Sequence, residues 1–159
     1  MIVLEAVENQ DIEGVKAALA NGSDANASNP AAIPVLVLAA SKGNLDIFNA
    51  LLNGGADVNI DSGEGETALM RAAAGGHLEM AQILIEKGAY INVQDGGDVG
   101  ATALIHAAAG GHIEIVRLLL ANGADVTIQT LYGDTALTLA QQRQRGYLEI
   151  VELLEKAGS

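Results

Sequence analysis

The sequence predicts an all-α helical repeat solenoid carrying short β-hairpin fingers, and three observations predict it. A fifteen-residue segment from Thr67 (TALMRAAAGGHLEMA) returns from Thr102 as TALIHAAAGGHIEIV, with a looser copy from Pro34 and another from Thr135. The anchors Pro34, Thr67, Thr102 and Thr135 stand 33, 35 and 33 residues apart, and a second marker set, Gly22, Gly55, Gly88 and Gly123, stands 33, 33 and 35 apart. Periods of this length belong to stacked arrays, so the repeat decides the fold before secondary structure is read. Hydrophobic residues make up 50% of the chain but aromatics only 3%, which calls for a core of small aliphatics packed closely. Upstream, Ile2 to Ala20 reads as one more copy without its leading loop.

Each copy resolves into the same elements. Thr67, Thr102 and Thr135 occupy helix N-cap positions, with alanine in the first turn behind each. Leu69, Ala72 and Ala73 then give a short helix with a small-residue face, and Gly76 or Gly111 ends it as a left-handed residue. A second helix follows with an aliphatic stripe such as Ile113, Val116, Leu119 and Leu120, closing at Gly123. The stretch from Ala56 to Glu66 is polar and turn-rich, suited to a projecting hairpin. No such unit buries its apolar face alone, so the units must stack.

These motifs resemble the ankyrin-repeat family across essentially the whole chain. The family pattern of Thr-Pro-Leu-His, paired alanines, Gly-His, a Leu-Leu pair and Gly-Ala-Asp-Val-Asn is matched by Thr67 to His77, Leu51-Leu52 and Gly55 to Asn59, and again by Thr102 to His112 and Gly123 to Val126. The resemblance implies L-shaped repeats of two antiparallel helices and a hairpin finger, stacked into a curved solenoid of five helix pairs with four fingers. The expected units are a capping repeat at 1–28, repeats at 29–61, 62–94 and 95–129, and a second capping repeat at 130–159. Departures stand out too. Val37, Met70, Ile105 and Thr138 replace the family's first-helix histidine, Pro34 replaces a capping threonine, the finger between Asn92 and Thr102 is two residues longer than that between Asn59 and Thr67, and Arg143-Gln144 reads as an insertion. Polar residues at both ends (Glu5, Glu8, Asn9, Glu13 and Lys16; Gln141, Gln142, Arg143, Arg145, Glu152 and Glu155) lead to the expectation of a complete, capped array.

Charge and composition exclude several functions. With 20 acidic against 8 basic residues the net charge is −12, which opposes phosphate backbones and anionic lipid surfaces and leaves nucleic acid and membrane as poor partners. There is no cysteine, hence no disulfide framework or thiolate metal site. The opening Met-Ile-Val-Leu-Glu lacks the basic region and apolar run of a signal peptide, and Ala31 to Ala40 is half a membrane span, so a cytoplasmic monomer is expected.

Candidate chemistry gives way to framework roles. His77 and His112 share one turn position in successive repeats, about 10 Å apart at ordinary helix spacing, too far to ligate one zinc. Asp46, Glu79, Glu114 and Glu149 each fall in the first turn of a second helix, where the helix dipole favours a carboxylate. The run from Asp57 to Gly63 starts like a calcium loop, but Ser62 stands where glycine is required and Ala68 where a bidentate glutamate is required. Gly96-Gly97-Asp98-Val99-Gly100 has no phosphate-loop lysine behind it. Neither a catalytic residue, a cofactor site nor a metal site is expected.

Binding remains, at positions that vary while the framework repeats. These are Asn29 and Ile33 on the first finger, Asp61, Glu64 and Glu66 on the second, Asp95, Asp98 and Val99 on the third, and Leu131, Tyr132 and Asp134 on the fourth. Leu38, Arg71 and His106, joined by Leu139, follow the replaced histidine on the first helices. Together they predict an acidic strip with apolar spots, Tyr132 being the best anchor because tyrosine gives large contact area at small entropic cost. The expected function is a scaffold or adaptor for a protein with a basic or mixed basic-apolar surface. Two alternatives stand beside it: the resemblance implies Asn59 as a substrate of an asparaginyl hydroxylase, or the repeats serve as a structural spacer.

Overall fold

The computed structural model of the chain describes residues 2–97, 99–143 and 147–159. Asp98, Gln144 and Arg145, read above as a finger acid, part of an insertion and a capping charge, lie outside them. The described residues form five antiparallel helix pairs: α1 (Val3–Glu8) with α2 (Ile12–Ala20), α3 (Val35–Lys42) with α4 (Leu45–Asn53), α5 (Ala68–Gly75) with α6 (Leu78–Glu86), α7 (Ala103–Gly110) with α8 (Ile113–Ala121), and α9 (Ala136–Gln142) with α10 (Leu148–Ala157). The odd-numbered helices pack on one another as one layer and the even-numbered helices form the second.

Local chemistry sets each boundary. Thr67 accepts from the Met70 N–H, Thr102 from the Ile105 N–H and Thr135 from the Thr138 N–H, at 3.3, 3.3 and 3.2 Å. Pro34 caps α3 with extended backbone alone. At the far ends Gly76 and Gly111 adopt φ of 74° and 75°, a conformation that glycine reaches without a Cβ penalty. The first-helix layer buries Ala39, Ala40, Ala72, Ala73, Ala107 and Ala108, while the second buries Ile47, Phe48, Leu51, Met80, Leu84 and Leu119. Small side chains let the helices of the first layer approach closely. Val37, Met70 and Ile105, in place of the family histidine, are buried in the one continuous core, and Thr138 at the same position of the last repeat donates instead to the Thr135 carbonyl at 2.9 Å.

Polar ladders run between repeats. Asn59 donates to the Gly88 carbonyl at 3.1 Å and accepts from the Tyr90 N–H at 2.8 Å, and Asn92 does the same to Gly123 and Asp125 at the same distances. Asn26 begins the series by accepting from the Asp57 N–H at 2.8 Å. A second ladder links the helix turns. His112 Nε2 sits 3.0 Å from the Ala74 carbonyl, the Tyr147 hydroxyl donates to the Ala109 carbonyl at 3.3 Å, and the His77 ring lies over Gly43, where an added Cβ would come within 2.5 Å of it. The Gly-His pairs are therefore inter-repeat packing, as their spacing predicts.

Candidate partner-binding surface

The fingers are short turns joined edge to edge. Each is closed by a polar residue whose backbone N–H reaches across its own turn: Asn29 to the Ile33 carbonyl, Ser62 to Glu66, Asp95 to Ala101 and Thr130 to Asp134, at 3.0, 2.9, 3.0 and 2.8 Å. The same side chains accept from the turn. Asn29 Oδ1 takes the Ala31 and Ile33 N–H groups, Ser62 Oγ those of Glu64 and Glu66, and Thr130 Oγ1 those of Tyr132 and Asp134. Asp95 Oδ1 takes the Gly100 N–H at 3.0 Å, and its Oδ2 meets His106 Nε2 at 3.2 Å. Among the described residues, bridges of strand type join Ser28 to Pro34 and Asp61 to Thr67.

This geometry redraws the strip. Asp95 is buried, and with Asn29 it closes a turn, so neither stands at a tip as an exposed side chain. Ile33 is half-buried against the core. Glu66 is half-buried and ion-paired with Arg71, and Asp134 is half-buried, accepting from the Gln142 side-chain amide at 3.4 Å. Leu38, Arg71, His106 and Leu139 are half-buried along the first-helix layer rather than exposed. Among the predicted finger carboxylates that are described, Asp61 and Glu64 are the exposed ones. The apolar part is more prominent than the sequence indicates: Leu131 is 72% exposed, Tyr132 73% and Val99 43%, and the Leu131 N–H donates to the Val99 carbonyl at 2.8 Å, which sets the three side by side.

Residues outside the predicted set also matter. Tyr90 is 67% exposed and stands where the other repeats have Asp57 and Asp125. Those aspartates cap their own loops, and the Thr127 hydroxyl, followed by its backbone N–H, holds the Asp125 carboxyl below the usual carboxylate range. Tyr90 gives up that cap for an exposed ring. Its signal in the sequence is the break in the Gly-Ala-Asp pattern at Gly88-Ala89-Tyr90. Asn59 is half-buried with its amide engaged on both sides by the next repeat.

A family model for ankyrin repeats (3 copies) matches residues 3–95 and again 96–159. The chain belongs to the ankyrin-repeat family. Ankyrin repeats are in general protein–protein interaction modules. No curated protein matches the sequence. No helix among the described residues is long and apolar enough to cross a membrane, and no group of three or more His, Cys, Asp or Glu among them is placed to hold a metal ion. In this ankyrin stack His77 packs over Gly43, His106 and His112 have hydrogen-bond partners, and Arg117 pairs with Glu114 and Glu149, whereas Val99, Leu131 and Tyr132 stand exposed.

Proposed function

We propose that the chain is a scaffold or adaptor, without catalysis of its own, that binds a partner protein through the tips of its fingers and the half-buried side chains of the first-helix layer behind them. The observation that carries this reading is the contiguous exposure of Val99, Leu131 and Tyr132 on hydrogen-bonded neighbouring fingers, beside the exposed acids Asp61 and Glu64. Large amphipathic side chains on a rigid support make anchors, and a net charge of −12 speeds encounter with a basic or mixed basic-apolar surface. Leu38, Arg71 and His106 line the adjoining floor, with Arg71 and His106 held by Glu66 and Asp95. The protein acts as a monomer in the cytoplasm in this reading.

Affinity capture from the source lysate tests it, comparing the wild type with an Asp61→Lys, Glu64→Lys, Tyr132→Ala variant. Glu66 is left unchanged because its pairing with Arg71 supports the fold of the finger. The variant should retain wild-type circular dichroism and lose the captured partner. Equal recovery by both baits contradicts the proposal.

A further inference from the structure

We propose that the open edge of the fourth finger takes up an extended, basic-apolar segment of a partner protein as though it were the next finger, an inference that rests on the interaction reading above. Neighbouring fingers are joined in one way throughout. The Gly63 N–H donates to the Ala32 carbonyl at 3.2 Å, Gly96 to Glu64 at 2.7 Å, and Leu131 to Val99 at 2.8 Å. The donor is always the residue after the closing side chain of Ser62, Asp95 or Thr130. After Asn29 that residue is Pro30, which has no N–H, so the row cannot extend in that direction.

The other end is different. Among the described residues no backbone hydrogen bond ends on the Tyr132 or Gly133 carbonyl. An added Cβ at Gly65 would lie 2.8 Å from the Gly96 nitrogen and one at Gly100 3.2 Å from Leu131 Cγ, whereas at Gly133 it would meet nothing within 4 Å. The turn position that abuts the next finger inside the row thus faces open space at its end, flanked by the exposed side chains of Leu131 and Tyr132. A second copy is a poor occupant, because its leading finger offers Pro30 at the donor position and it carries the same net charge of −12. The fitting occupant presents a backbone N–H to Tyr132 or Gly133, an apolar side chain to Leu131 and Tyr132, and lysine or arginine to the acidic chain, a form of strand addition.

The test uses a synthetic peptide with the sequence of residues 128–134, its aspartate replaced by lysine, titrated to millimolar concentration into the ¹⁵N-labelled full chain. Amide shifts are expected at Val99 and from Leu131 to Asp134, with the first finger silent, and N-methylation of the peptide's leucine amide should weaken binding about fivefold, the factor that one net backbone hydrogen bond supplies. Absence of shifts, shifts spread evenly over the acidic surface, or indifference to N-methylation overturns the edge proposal. Those results leave the wider finger reading to the capture experiment, which fails or succeeds independently.

Discussion

At the scale of single residues, the same side chain carries different meanings that only its partners separate. Asn26, Asn59 and Asn92 recur at 33-residue spacing, so their importance is legible in the sequence. Their role is not, because it depends on each loop lying against the next. Asn92 makes two hydrogen bonds across the repeat boundary and Asn26 one. With a net contribution near 1 kcal/mol per bond, Asn92→Ala should destabilise the chain by about 1–2 kcal/mol and Asn26→Ala by roughly half as much. Urea denaturation checks this, and an equal or smaller cost at Asn92 contradicts it. Asp95 shows the opposite difficulty. As a letter it is one more acid on a finger, but the third finger is two residues longer, and its closure uses this carboxylate to hold the Gly100 N–H and His106. A carboxylate that attracts a partner and one that closes a turn look alike until the acceptor geometry is known.

At the scale of elements, the helices were legible because their signals are local. Threonine caps, left-handed glycines and aliphatic stripes each act within a turn or two of themselves, and the boundaries at Ala68, Gly75, Ala103 and Gly110 follow from them. Thr102, 1% exposed, gives a direct check. Thr102→Ala leaves the buried Ile105 N–H without its acceptor and should cost about 1 kcal/mol or more in thermal or chemical denaturation, while Thr102→Ser should retain most of the stability. Equal losses in the two variants would exclude the cap as the cause. The fingers were legible only as polar turns. Their edge-to-edge joining by Gly63, Gly96 and Leu131 is a contact between repeats, and nothing within one repeat's sequence marks it. For the same reason the exposed acids proved fewer and the apolar tip larger than composition implies.

At the scale of the whole molecule, framework and surface separate by layer. One continuous core runs through all five helix pairs, from Val3 to Leu154. In the last pair the polar Thr138 and Glu155 stand where Val37, Met70 and Ile105, and Leu52, Ile85 and Leu120, stand in earlier repeats, and Leu148 is 70% exposed. What distinguishes one repeat from another is then concentrated at the finger tips, which is why the reading of function rests on Val99, Leu131 and Tyr132. The most direct measurement is site-specific photo-crosslinking in the source cells, with the reactive group placed at Tyr132 in one variant and at Gln82, exposed on the second-helix layer, in another. A discrete crosslinked protein at Tyr132, absent at Gln82, is the predicted result. The same product at both positions, or a product at Gln82 alone, would contradict it.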